Sequence, residues 1–147
     1  MTRNTPSRFG SLDTSTSLAA ILGDALDDEY KAEATYAAVI ERFGPVRPFI
    51  NIVEAERRHA DALLGQCARL GLVPIPNRWA GKVAAPETLQ DACRDAMAAE
   101  VENIALYDKL LPNVTDVQAR EVLERLQAAS RDRHLPAFMR CFDRHRG

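Results

Sequence analysis

Every long apolar seam in this sequence is interrupted, partway along, by an acid, an amide or an imidazole. Proline and glycine fall in clumps: Gly44, Pro45 and Pro48, then Gly71, Pro74, Pro76, Gly81 and Pro86, then Pro112. Between the clumps lie four windows, about 17–43, 49–70, 87–111 and 116–142. They are rich in Ala, Leu, Glu and Arg, whose side chains lose little freedom in a helix, and nothing between them has a strand pattern. The end signals agree: Ser17 is placed to cap the first helix, Gly71 to end the second, Pro86 to sit in the first turn of the third, and Thr115 or Asp116 to cap the fourth.

Four helices of similar length most simply pack as an antiparallel four-helix bundle, so the expected fold is all-α. The link at 72–86, longer than the others, allows a crossover between the second and third helices. Trp79, within it, is expected to plug one end of the bundle. Residues 1–16, polar and rich in Thr and Ser, are expected to form a disordered tail ahead of a single domain at 17–147.

The seams carry the functional signal. The first helix gives Leu18, Leu22, Ala25, Glu29, Ala32, Tyr36, Val39 and Phe43 at bundle spacing. The second gives Ile52, Glu56, His59, Leu63 and Leu70, and the third gives Leu89, Cys93, Ala96, Glu100, Asn103, Tyr107 and Leu110. The fourth gives Leu123, Ser130, His134, Ala137 and Cys141. An acid or imidazole in a bundle core costs several kcal/mol unless a partner neutralises it. Glu29, Glu56 and Glu100 together hold an excess of negative charge that a cation would balance, and hard oxygens with two imidazoles suit iron, manganese or zinc.

Spacing sharpens this. Glu56 and His59 form a Glu-x-x-His pair on one helical face, where both can hold one ion. Glu29 with Tyr36, and Glu100 with Tyr107, recur seven residues apart behind Asp24-Ala25 and Asp95-Ala96, so 17–70 and 87–142 read as two copies of one helix pair. The alternative is a metal-free salt-bridge network in which Arg131, Arg57 or Arg58 neutralises the acids.

On Asp28-Glu29-Tyr30-Lys31-Ala32-Glu33, Asn51-Ile52-Val53-Glu54-Ala55-Glu56-Arg57-Arg58-His59 and Arg133-His134-Leu135-Pro136-Ala137-Phe138, the chain resembles the ferritin-like superfamily on its rubrerythrin side. The likeness covers about residues 18–142 and is nearest to a bacterial group of small ferritin-like domains. It implies di-iron carboxylate chemistry, with metal ligands at Glu29, Glu56, His59, Glu100 and His134. It further implies an oxidoreductase acting on peroxide or dioxygen. The chain has no Cys-x-x-Cys pair, so electrons would come from an external donor protein. An iron-handling protein without turnover and a helical interaction module with a degenerate site are the other readings.

One position departs from that pattern. Three residues before His134, where the resemblance places a carboxylate, stands Arg131, and Asn103 is an amide where rubrerythrins suggest a further acid. Asp132 faces away from His134. Three carboxylates and one guanidinium leave two negative charges, which match one divalent ion. The expectation is therefore one well-held metal near Glu29, Glu56 and His59, and a second position near Glu100 and His134 that is weakened, empty or dependent on an exogenous ligand, with Arg131 pairing with Glu100 in place of the metal. Glu33 is either a spare carboxylate for that second ion or a solvated or paired acid, and Tyr36 and Tyr107 are either core or hydrogen-bond donors to ligands. Pro136 should bend the fourth helix and free a carbonyl near the site.

Cys67, Cys93 and Cys141 are an odd set without close spacing and are expected to be three small buried residues, with neither a disulfide framework nor a zinc site. A net charge of −2 and a pI near 5.9 give no field for nucleic acid or anionic lipid, and no stretch is long and apolar enough for a membrane span. A cytoplasmic protein is expected, with a homodimer through exposed apolar flanks as a candidate assembly.

Overall fold

The computed structural model describes residues 12–146, and all of its regular structure is helical. Helix α1 spans Leu12–Phe43, α2 spans Phe49–Leu70 and α3 spans Leu89–Leu110. A short 3₁₀ turn at Leu111–Asn113 leads to a fourth rod, made of α4 at Val117–Ala129, a π-helical turn at Ser130–His134 and α5 at Leu135–Arg144. No described helix is long and apolar enough to cross a membrane.

Helix ends follow local chemistry. Gly71 takes the left-handed conformation (φ 69°) just past α2, and the Leu72 amide closes back onto the Cys67 carbonyl at 2.9 Å. Thr88 Oγ1 accepts from the Asp91 amide at 3.1 Å and so caps α3. Pro86, expected in the first turn of that helix, thus lies ahead of it. Asp116 caps α4 by accepting from the Ala119 amide at 2.9 Å. Helix α1 begins at Leu12, so Ser17 lies within it, and 12–16, expected as tail, belong to the helix; residues 1–11 of the expected tail lie outside the described residues.

Two apolar clusters fill the interior. One joins Leu22 and Leu26 of α1, Leu63 of α2, Tyr107 of α3 and Leu123 of α4. The other joins Val39 of α1, Phe49 of α2, Ala96 of α3 and Phe138 of α5, where the rings of Tyr36, Phe49 and Phe138 meet at centroid distances of 5.0–5.8 Å. Between them in sequence lie the polar seam residues Glu29, Glu56, His59, Glu100, Asn103, Ser130 and His134, all buried. The two clusters are what hold this polar stretch away from water.

The 72–88 link runs along the outside of α1. Ile75 lies against Gly23, where an added Cβ would come within 3.5 Å of it. Arg78 makes a bidentate pair with Asp27, 2.9 Å for both bonds, and Trp79 Nε1 donates to the same carboxylate at 3.1 Å. Lys31 and Arg78 stand over the Trp79 ring, 5.3 and 4.5 Å from its centroid. Trp79 is therefore a half-buried clasp on the flank of α1 and not an end plug, because its indole N–H finds its acceptor at Asp27.

The cysteine expectation is corrected. Cys93 of α3 and Cys141 of α5 form a disulfide, with Cα atoms 5.7 Å apart, and only Cys67 is a free buried thiol. The two cysteines are 48 residues apart and meet only because the third and fourth rods pack together. A cross-link closing a loop of this size is worth at most about 4 kcal/mol. Thiol titration of the denatured, unreduced protein should find one reactive cysteine, rising to three after reduction, and the Cys93→Ser/Cys141→Ser double variant should lose about 2–4 kcal/mol in chemical denaturation.

Candidate metal centre

Glu29 comes from α1, Glu56 and His59 from α2, Glu100 from α3, and His134 from the end of the π turn. All five expected ligands converge on one point. The carboxylates are 1–2% exposed and the two imidazoles 8% and 5%. Glu29, Glu56 and His59 each offer one ligand atom within 4.8 Å of the other two, and Glu56, Glu100 and His134 do the same. Glu56 belongs to both triads. These buried groups could hold a metal ion.

The contacts within each triad run through Nδ1. His59 Nδ1 lies 3.2 Å from Glu29 Oε1 and 3.1 Å from Glu56 Oε1. His134 Nδ1 lies 3.4 Å from Glu100 Oε1 and 3.7 Å from Glu56 Oε2. The two rings stack 5.4 Å apart at an interplanar angle of 13°.

The two tyrosines are hydrogen-bond donors and not mere packing. Tyr36 on α1 donates to Glu100 Oε2 on α3 at 2.6 Å, and Tyr107 on α3 donates to Glu29 Oε2 on α1 at 2.6 Å. Burial, then the adjoining carboxylates, Glu100 for Tyr36 and Glu29 for Tyr107, hold both phenols far above their usual titration range. Both therefore stay protonated and keep donating. Each fixes one oxygen of its carboxylate.

The position of the absent fourth carboxylate is where the structure departs most from expectation. Arg131 does not pair with Glu100. Its side chain is 53% exposed and binds Asp132, at 3.0 and 3.2 Å. The cause is the π turn, in which the Leu135 amide reaches the Ser130 carbonyl. A regular helix would bring the ring of Pro136 against the carbonyl of residue 132 and leave that carbonyl without a donor, and the wider turn ahead of it absorbs this strain. Ser130, on the seam four before His134, faces inward, and the wider turn carries Arg131 off that face. Ser130 Oγ donates to Asn103 Oδ1 at 2.9 Å, and Asn103 Nδ2 donates to Asp28 Oδ2 at 2.6 Å and to Glu29 Oε2 at 3.2 Å. Burial, opposed by the Asn103 bond and reinforced by Glu29, pushes Asp28 up to about 6.

Ser130 and Asp28 are the participants that sequence reasoning missed as site residues. Ser130 stood on the fourth seam, and the signal that could have found it was Pro136 six residues on. Glu33 is not brought to the centre; it accepts from Arg57 Nε at 2.9 Å, and Arg57 also pairs with Glu54. Arg58 is exposed as well. No arginine named for the metal-free network reaches the acids, so three carboxylates stand without a guanidinium, and the reckoning that allowed only one ion no longer applies.

The chemistry of the donor set fits a cation. Glu56 Oε1, Glu100 Oε1 and His134 Nδ1 are buried and have no hydrogen-bond partner. Those three atoms belong to the residues of the triads and point among them, which is the arrangement an ion would complete. Burial, and then the charges of Glu29 and Glu100, hold the Glu56 carboxyl well above the ordinary carboxylate range. Burial would also raise Glu29, but the hydrogen bond and charge of His59 outweigh it, with Glu56 and Tyr107 adding, so Glu29 titrates low.

Because Glu56 binds its proton more tightly in the folded chain, its contribution to stability is present below its unfolded pKa and lost as pH rises through the folded one. Asp28 acts in the same direction, whereas the lowered Glu29 matters only at acid pH. Thermal melts in chelator should show the midpoint falling from about pH 5 to about pH 8. Glu56→Gln should flatten that fall and stabilise the metal-free chain by about 1–3 kcal/mol near pH 8, while abolishing metal uptake. Tyr36→Phe should cost about 1–3 kcal/mol, read from denaturant midpoints, because it strands Glu100 Oε2, whereas Tyr107→Phe should cost less, because Asn103 Nδ2 still donates to Glu29 Oε2.

Comparison of the chain with protein-family models and with curated proteins finds no match.

Proposed function

We propose that the chain is a metal-binding protein of the ferritin-like type, an antiparallel four-helix bundle in which Glu29, Glu56, His59, Glu100 and His134 hold iron. The antiparallel reading is supported by the two clusters. The start of α1 shares one cluster with the ends of α2 and α3 and the start of α4, and the end of α1 shares the other with the starts of α2 and α3 and with α5. The link at 72–88 then serves as the crossover, laid along α1 from Gly23 to Arg42, which donates to the Glu87 carbonyl at 3.4 Å.

The observation that carries the metal reading is the set of three orphaned buried atoms on Glu56, Glu100 and His134, with no guanidinium near enough to neutralise them. Glu56 would be shared between two ions, Glu29 and His59 completing one set and Glu100 and His134 the other. Since Arg131 stays outside, the second position carries no opposing charge, and two occupied positions replace the expectation of a single firm one. Carboxylate oxygens with one imidazole per ion suit iron, and manganese or zinc compete for the same donors.

Bound iron would supply electron exchange between its ferrous and ferric states, with peroxide or dioxygen as the class of oxidant. The chain's own part is narrower. The tyrosines hold one oxygen of Glu29 and of Glu100; the second oxygen of Glu29 faces His59 Nδ1 and that of Glu100 has no hydrogen-bond partner. The two apolar clusters exclude bulk water, and the Ser130–Asn103 bond fills the place of a fourth acid with neutral groups. Electrons would arrive from a separate donor protein, the described thiol chemistry being one disulfide and one buried cysteine.

Mass-spectrometric metal analysis of protein purified without chelator, then reloaded anaerobically with ferrous iron, should find about two ions per chain. Glu100→Gln should remove one and Glu56→Gln both. A metal content of zero after loading, with the fold intact by circular dichroism, would overturn the proposal.

A further inference from the structure

A cavity of about 570 Å³ forms a groove between α2 and the fourth rod, and both His59 and His134 line it. That volume suits a small organic ligand. Three guanidinium-bearing residues, Arg58, Arg125 and Arg133, also line the groove, whereas none of its lining residues is acidic. Among the described residues the ion-paired arginines are Arg57, Arg69, Arg78, Arg94 and Arg131, so these three are not drawn off by carboxylates of the chain itself. The remaining lining is mostly aliphatic, including Ile52, Ala55, Leu126 and Ala129.

The histidines add an independent sign. Both turn Nδ1 to the carboxylates, so Nε2 is the ring nitrogen left for a molecule in the groove. A histidine that serves a metal ordinarily donates its second ring N–H to a carboxylate, a carbonyl or water. The one histidine side-chain hydrogen bond among the described residues is that of His59 Nδ1 with Glu29. The acceptor for the outer edge of these two rings is therefore to come from outside the chain, at the place where three unpaired arginines gather.

We propose that this groove binds a small organic acid, its carboxylate held by Arg58, Arg125 and Arg133 and accepting from the outer N–H of His59 or His134, with its short hydrocarbon body on the aliphatic wall. The inference deepens the metal-centre reading by naming the class of molecule that sits beside it, but binding itself needs only the arginines and the groove. A second copy of the chain fits less well, because a twofold contact through this face would bring two sets of the same three arginines together. Bare phosphate leaves the aliphatic wall without an occupant.

Calorimetric titration of the full chain with hexanoate, metal-free and iron-loaded, tests this. Saturable binding with a Kd on the order of 1 mM or tighter is expected in both forms. It should exceed the affinity for acetate and for inorganic phosphate by about tenfold, and hexan-1-ol should bind poorly. Each of Arg58→Gln, Arg125→Gln and Arg133→Gln, all at exposed positions, should weaken hexanoate about threefold to fivefold, and the triple variant should lose it.

Hexanoate affinity unchanged in the triple variant would overturn the proposal, as would equal binding of acetate, phosphate and hexanoate. So would a dimer by light scattering that dissociates in the triple variant without any hexanoate binding, which would give the face to a second copy. Failure of the metal reading shows separately, as zero iron on loading while metal-free protein still binds hexanoate.

Discussion

Glu29, Glu56 and Glu100 are carboxylates taken out of water at the middle of a helical bundle, and much of the surrounding structure answers the cost of that placement. An ionised acid in such a place needs a counter-charge and hydrogen-bond donors. Donors are present: Tyr107 and Asn103 for Glu29, and Tyr36 for Glu100. Counter-charge is scarce. The nearby arginines turn outward to Glu33, Glu54 and Asp132, and the two imidazoles, stacked on each other, are the only basic groups in contact with the acids. A core furnished with donors but short of positive charge could hold a cation.

The reciprocal tyrosine bonds show how the two halves of the chain act as one site. Tyr36 follows Glu29 by seven residues and serves Glu100; Tyr107 follows Glu100 by seven and serves Glu29. Each phenol lies two helical turns from the acid of its own helix, so its hydroxyl crosses to the facing helix. The duplication read from the sequence thus becomes a twofold arrangement in space. It breaks at one place, where α2 carries Glu56 three residues before His59 and the fourth rod presents Ser130 four before His134. With Asn103, that serine forms a neutral hydrogen-bonded pair where α2 has an acid.

How much of this was legible in the sequence follows from how local each signal is. Seam positions depend on helix periodicity alone, and Glu29, Glu56, His59, Glu100, Asn103, Ser130 and His134 are all buried as the periodicity required. The converging ligand atoms were legible for the same reason. Arg131 was misplaced because a regular helix was assumed through 130–134, whereas the wider turn there keeps Ser130 on the seam and carries Arg131 off it. The disulfide was not legible because Cys93 and Cys141 meet through the packing of two rods, a long-range fact that spacing does not encode. Trp79 was misplaced for a different reason: a large ring in a link was treated as apolar bulk, whereas its N–H and the cations over its face tie it to Asp27 and Lys31.

The π turn also connects the centre to its surroundings. The sequence offers no acid on the inner face of this turn; Ser130 stays on that face, Arg131 stands out in solvent on Asp132, and the turn ends at His134 on the wall of the groove. With Asp28 beside Glu29, four acids stand at or next to the centre, enough to match two divalent ions. The groove that reaches both histidines is lined by three arginines and no acids, so an anion entering it meets matching charge. The neutral Ser130–Asn103 pair and the basic groove thus meet at one histidine: His134 turns Nδ1 to the buried acids on one side and lines the arginine-rich groove on the other.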